Sequence, residues 1–225
     1  MLSTTSIFYE LSEEDLATVR SRCRRIHVAK KEEVVQQGGR GRDMFIVDKG
    51  RLKMSAVSEA GKEVAFGILE PGDTFGEMAM LDGELRSATI SALEPCELLA
   101  LSRSAFEALV ADCPSLAINL MVVLSHRLRH TSRLYQDSVF MEVPGRLAQF
   151  LLQFSRKDDT GGGLPALTVS LSQYELGTLV NASRESVNKL LKEWEEAGLI
   201  QRERGRIQLL DPEALEDKLS TFGEL

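Results

Sequence analysis

The chain has 225 residues, 43% of them hydrophobic and 27% charged, a balance that fits one large or two ordinary globular domains and excludes a fibrous, low-complexity or membrane-embedded protein. No apolar run approaches the ~18 residues of a membrane-spanning helix, and the opening Met1-Leu2-Ser3-Thr4 lacks the basic and apolar regions of a signal peptide, so a cytoplasmic protein with no membrane partner is expected. The net charge of −7 argues against a protein that coats nucleic acid through bulk positive charge, because phosphate neutralisation supplies most non-specific affinity.

In chain order, Leu11-Ser12-Glu13-Glu14-Asp15-Leu16 comes first, where Ser12 is expected to cap a short amphipathic helix over residues 11–25 and the acids suit its positive end. From Ile26 to Leu101 the texture changes to brief β-branched and apolar runs, among them 44–47, 52–57, 64–69, 88–92 and 97–101. Glycines and Pro71 punctuate these runs at close spacing, which predicts antiparallel sheet wrapped into a roll or barrel rather than a parallel sheet. Cys23, Cys96 and Cys113 are odd in number and widely spaced, and are expected to be reduced and structural.

Within the β region, Gly72-Asp73-Thr74-Phe75-Gly76-Glu77-Met78-Ala79 is followed by Leu85-Arg86-Ser87-Ala88-Thr89. Glycine lets the backbone approach a ligand closely, the Arg86 guanidinium offers a planar fork to phosphate oxygens, and the backbone N–H groups of Ser87 and Ala88 can add neutral donors. The Glu77 carboxylate suits a sugar hydroxyl rather than a phosphate. Together they are equipment for holding a sugar phosphate from two sides.

From Leu116 to about Phe140 there is neither Gly nor Pro, and Met121, Leu124, Leu128, Thr131, Tyr135 and Ser138 recur in alternating steps of three and four. That is a coiled-coil seam, which predicts a parallel two-fold homodimer through residues 116–140. Thr131 is polar at a seam position and Ser132 borders the same groove, where a second helix would desolvate both unless something hydrogen-bonds to them. Pro144-Gly145 predicts a hinge and a domain boundary near residue 140, and Lys157–Pro165 reads as a polar linker.

Residues 171–180 read as a helix capped by Ser172, Asn181-Ala182 as a tight turn, and Ser183-Arg184-Glu185-Ser186-Val187-Asn188-Lys189 as the start of a second helix capped by Ser183. Val187, Leu190, Leu191 and Trp194 make its inner face, while Arg184, Glu185, Asn188 and Lys189 project outward, carrying chemistries that read base edges in a major groove. A wing is expected from strands at 199–202 and 206–210 around a turn at Glu203-Arg204-Gly205, with Arg202, Arg204 and Arg206 beside the DNA backbone. The basic residues thus form a narrow footprint on an acidic body.

Phe75-Gly76-Glu77-Met78-Ala79 through Arg86-Ser87-Ala88-Thr89 resembles the phosphate-binding cassette of cyclic-nucleotide-binding domains, Ser183-Arg184-Glu185-Ser186-Val187 is similar to the Ser-Arg-Glu-Thr-Val recognition helix of the CRP/FNR transcription regulators, and the whole chain resembles that family, on its cyclic-AMP-responsive branch. The resemblance implies an α+β architecture in three parts. These are an N-terminal antiparallel β-roll of jelly-roll type with flanking helices (1–115), a long dimerisation helix (116–140) and a C-terminal winged helix-turn-helix domain (141–225). It implies cyclic AMP as effector on Gly76, Glu77, Met78, Arg86, Ser87 and Ala88, with Thr131 and the partner subunit's Ser132 on the adenine. It further implies that Gln173, Ser183, Arg184, Glu185, Asn188, Lys189 and Arg204 engage a near-palindromic double-stranded operator, and that the loop after residue 156 touches RNA polymerase. Lys189 departs from the family prototype, which has arginine there, and Gly67 stands where the prototype has a serine near the nucleotide.

Other chemistries are weighed against this reading. His126 and His130, four apart on the long helix, fall at outer positions of the seam register with no further ligand in view, so no metal is expected. The cysteine cluster of the family's iron–sulfur branch is missing and no ligand for its heme branch is identified. No nucleophile with a base and an orienting group is visible, so the chain is not expected to be an enzyme. Two alternatives stay open: a protein of the same fold that binds DNA without ligand, and one gated by another effector such as cyclic GMP.

Overall fold

The computed structural model describes residues 6–9, 11–156, 165–167, 170–203 and 206–220. By packing, the chain divides into two units, Met1–Thr131 and Ser132–Leu225.

The first unit opens with a 3₁₀ turn at Ser6–Phe8 and helix α1 (Glu13–Arg22), whose cap Ser12 accepts from the Asp15 N–H at 3.1 Å. The helix ends three residues short of the expected boundary, because the chain turns extended at Cys23 and enters β1 (Arg24–Val28). Strands β2 (Glu33–Val35), β3 (Asp43–Lys49), β4 (Leu52–Val57), β5 (Glu63–Leu69), β6 (Thr74–Phe75), β7 (Thr89–Ala92) and β8 (Cys96–Ser102) form two four-stranded antiparallel sheets, ordered β1-β8-β3-β6 and β2-β7-β4-β5. Between β6 and β7 lies a short helix, α2 (Glu77–Asp82), flanked by Gly76 and Gly83, both at φ 79°.

Alternation within the strands explains why Met44–Val47 is apolar at every position. Phe45 and Val47, with Leu52, Phe75, Ile90, Leu98 and Ala100, fill the space between the two sheets. Met44 and Ile46, with Leu99 and Leu101, face the opposite way onto α1, α3 (Arg103–Asp112) and α4 (Ser115–Phe140). A sheet covered on both faces loses the polar half of its pattern.

Helix α4 applies Leu116, Leu120 and Val123 to the roll and leaves Met121, Leu128 and Tyr135 at 58%, 70% and 72% exposure. The latter three are spaced by heptads. No single helix among the described residues is long and apolar enough to cross a membrane.

The second unit contains α5 (Val143–Phe154), β9 (Ser155–Arg156), β10 (Ala166–Leu167), α6 (Gln173–Leu179), α7 (Arg184–Glu196), β11 (Ile200–Glu203), β12 (Arg206–Leu209) and α8 (Pro212–Ser220). The strands make one antiparallel sheet, β11-β12-β10-β9. Pro144 and Gly145 are not in a hinge loop but in the first turn of α5, where a missing N–H is harmless; the break falls at Met141 and Glu142. Val187, Leu191 and Trp194 are buried as expected of an inner helix face. Arg204, the tip of the expected wing and the linker at 157–164 lie outside the described residues.

Candidate nucleotide pocket and nucleic-acid interface

Gly76 and Arg86 meet as the spacing suggests. Arg86 Nη1 donates to the Gly76 carbonyl and Nη2 to the Asp43 carbonyl, each at 2.8 Å, and the guanidinium lies 5.8 Å from the centre of the Phe45 ring. A Cβ built on Gly76 would stand 2.5 Å from Nη1, and one on Gly41 2.8 Å from Nη2, so a side chain at either position would push the guanidinium from its place. The backbone braces it too: the Arg86 N–H donates to Gly39 O, and the Gly38 N–H to Arg86 O. Burial pushes the guanidinium below its usual range, an effect opposed by the carboxylates of Asp43 and Glu77. Ser87 is exposed and rests its hydroxyl 3.8 Å from the Met78 sulfur, while Ala88 is buried.

Glu77 is 1% exposed, a position where a carboxylate costs several kcal/mol unless compensated. Its Oε1 accepts from Arg127 Nη1 of α4 at 2.5 Å, and Arg127 Nη2 also donates to the Thr74 carbonyl. Glu77 Oε2 is buried without a hydrogen-bond partner among the described residues. An acceptor oriented by one charge in this way has capacity for one further donor. The Asp73 carboxyl is pushed up by burial, against the pull of the Glu70 N–H and of Arg127. Arg127 was missed from sequence.

His130, off the seam face of α4, is half-buried, and its Nε2 lies 3.8 Å from where a Cβ on Gly67 of β5 would be. Residues at 116, 120, 123, 127 and 130 form one stripe of α4 turned to the roll, which the seam register alone does not reveal. Thr131 and Ser132 are exposed on the same helix. Among the described residues no group of three or more His, Cys, Asp or Glu is arranged to hold a metal.

In the second unit the caps fall at the expected serines. Ser172 and Glu175 form a reciprocal capping box, and Ser183 Oγ accepts from the Ser186 N–H at 3.0 Å. Gly177 allows the helix–helix turn, since a Cβ there would stand 2.8 Å from Ala182 O. Arg146 of α5 locks that turn by donating Nε to Val180 O at 2.8 Å and Nη2 to Asn181 O at 3.2 Å, with Nη1 on Met141 O. Nothing in the motif signalled this second unforeseen arginine.

Arg184, Glu185, Asn188 and Lys189 are all exposed on α7. Gln173 of α6 donates Nε2 to Asn188 Oδ1 at 2.9 Å, so two residues named separately are oriented as one pair. Arg202 does not face outward as expected. Its Nε and Nη2 hold Glu195 Oε2 at 2.9 and 2.6 Å, and its N–H holds Oε1 at 3.0 Å, tying β11 to α7. Arg206 is exposed.

Comparison with known proteins agrees with both halves. Residues 25–113 match the cyclic nucleotide-binding domain and residues 145–218 the Crp-like helix-turn-helix domain. The chain is 30% identical to a CRP-like cAMP-activated global transcriptional regulator of Mycobacterium tuberculosis over 96% of each chain. It is 32% identical to the cAMP-activated global transcriptional regulator CRP of Pasteurella multocida over 80% of this chain and 87% of that one. Among solved structures, the catabolite activator protein of Thermus thermophilus is 29% identical over 97% of this chain and 100% of that one, with a TM-score of 0.57. A nucleotide-binding roll and a winged helix-turn-helix on one chain define a DNA-binding transcription regulator with a cyclic-nucleotide domain. The protein belongs to the CRP/FNR family.

Proposed function

We propose that the protein is a homodimeric regulator whose DNA binding is gated by cyclic AMP. The observation that carries the ligand reading is the buried Oε2 of Glu77, without a partner among the described residues, beside the Arg86–Gly76 contact. Arg86, with the N–H groups of Ser87 and Ala88, would hold the cyclic phosphate, Gly76 and Met78 would shape the pocket, and Glu77 would accept from the ribose. Thr131 and the partner subunit's Ser132 would meet the base. These roles follow the matching positions of the family's cassette, and the relatives named above are cAMP-activated.

The exposed, heptad-spaced Met121, Leu128 and Tyr135 support dimerisation through α4. A two-fold dimer presents two copies of α7, which suits half-sites roughly 34 Å apart on a near-palindromic operator. There Gln173, Ser183, Arg184, Glu185, Asn188 and Lys189 would contact DNA, with Arg204 at the wing and RNA polymerase as a further partner. The test is calorimetric titration with cyclic AMP and cyclic GMP, alongside operator binding with and without nucleotide. Micromolar binding of cyclic AMP that raises operator affinity is expected. Operator binding indifferent to either nucleotide would overturn gating while leaving the DNA reading intact.

A further inference from the structure

Strand β5 is irregular at one place. Gly67 pairs with Met54 of β4 and Ala65 with Ser55, so Phe66 is an extra residue and the ladder bulges there. Gly67 sits in the bulge at φ +149°, a backbone conformation that side-chain-bearing residues rarely adopt. A glycine in a strand interior marks either a bend or a point where a ligand comes close, and bulges recur where a strand is re-aimed beside a site. Across from it stands His130, half-buried, its ring nitrogens without a hydrogen-bond partner among the described residues. His130 follows Arg127 by three residues, a rise of about 4.5 Å along α4. The same helical stripe therefore passes from the Glu77 carboxylate to the imidazole.

We propose that His130 reads the base of the bound nucleotide, with Gly67, which has no side chain, giving the imidazole its place against β5; this rests on the cyclic-nucleotide reading above. A neutral imidazole carries one donor and one acceptor. Adenine offers an amino donor where guanine offers a carbonyl acceptor, so the two bases call on opposite members of that pair. His130 is thus a specificity-determining residue on the protomer's own side of the pocket.

The experiment titrates cyclic AMP and cyclic GMP calorimetrically into the full-length protein and its His130→Leu and His130→Gln variants. Leucine keeps bulk and helix but removes both ring nitrogens, whereas glutamine restores a donor and an acceptor. Wild type is expected to bind the two nucleotides unequally, His130→Leu to change the affinity ratio by about fivefold or more, and His130→Gln to recover part of it. If both affinities fall by the same factor in His130→Leu, or neither changes, or wild type binds the two equally, His130 does not read the base. A wild type that binds neither nucleotide sinks the functional reading and this inference with it; normal binding with an unmoved ratio sinks this inference alone.

Discussion

Arg127 of the long helix grips Glu77 of the cassette helix, 2.5 Å between Nη1 and Oε1, inside a site where the carboxylate is 1% exposed. The pair couples the element that carries the seam to the element expected to hold the sugar. Removing one member leaves the other's charge stranded in a poor dielectric, which costs more than the pair contributes net. Arg127→Ala should therefore lower stability by about 2–3 kcal/mol, while the double change Arg127→Met with Glu77→Met should recover much of that. Urea unfolding of the three proteins checks both expectations. A double variant no better than the single one would mean that the lost packing, not the stranded charge, sets the cost.

The fold was legible where one physical rule decided the matter. Gly and Pro punctuation with short apolar runs gave the roll, and serine caps gave both helices of the helix-turn-helix. The helix at Glu77–Asp82 was not legible, since its residues also suit a ligand loop and its ends depend on Gly76 and Gly83 adopting positive φ. Arg127 and His130 were hidden for another reason. The seam positions describe the outward face of α4, and nothing in them says that the stripe through Leu120 and Val123 continues into polar residues applied to the roll. Arg202 misled because a basic residue in a wing reads as a phosphate contact until Glu195 is seen beside it.

Arg86 is already hydrogen-bonded to two carbonyls, so it is both a structural strut and the expected phosphate ligand. Lysine keeps the charge but has no planar fork to span Gly76 O and Asp43 O. Arg86→Lys should bind cyclic AMP at least tenfold more weakly, about 1.4 kcal/mol, and Arg86→Ala should abolish measurable binding. Calorimetry gives the affinities, and thermal unfolding separates lost contacts from lost fold. Full affinity in Arg86→Lys would show that charge suffices without the fork.

Arg184 and Ser183 sit side by side at the start of α7 but should fail differently. Arg184→Ala removes an exposed guanidinium able to pair with a guanine, and should cost about 1–3 kcal/mol at one base-pair step while relaxing discrimination there. Ser183→Ala removes the cap on the Ser186 N–H and should cost about 1 kcal/mol of stability, weakening cognate and altered operators alike. Mobility-shift titrations on operators changed one base pair at a time distinguish these outcomes. Discrimination unchanged in Arg184→Ala would remove this residue from base reading.

Arg146 closes the helix–turn–helix from behind through three carbonyls, and burial lowers its pKa against the opposing pull of Asp137. Alanine there would leave the Val180 and Asn181 carbonyls without this donor and loosen the turn that sets the angle of α7. A loss of about 2–3 kcal/mol is expected, with weakened DNA binding and unchanged nucleotide affinity. Circular dichroism melts and the two binding assays check the split.

The Glu195–Arg202 pair makes the stability of the second unit depend on acid. Glu195 is held below the ordinary glutamate range, first by the Arg202 side-chain hydrogen bonds and then by its N–H. A carboxylate with a folded pKa below its unfolded one stabilises fully above the unfolded value, about 4.3. That contribution is lost as pH falls through the lower folded value. Trp194, the chain's single tryptophan, is buried one residue away on α7 and reports unfolding of this unit. Its fluorescence should show the wild-type melting temperature dropping as pH falls below the unfolded glutamate value of about 4.3. In Arg202→Gln the midpoint should start lower near neutral pH and fall less steeply over the same window, because the group that depresses the Glu195 pKa is gone. Parallel curves for the two proteins would mean that the tie between β11 and α7 contributes nothing to the acid sensitivity of the unit.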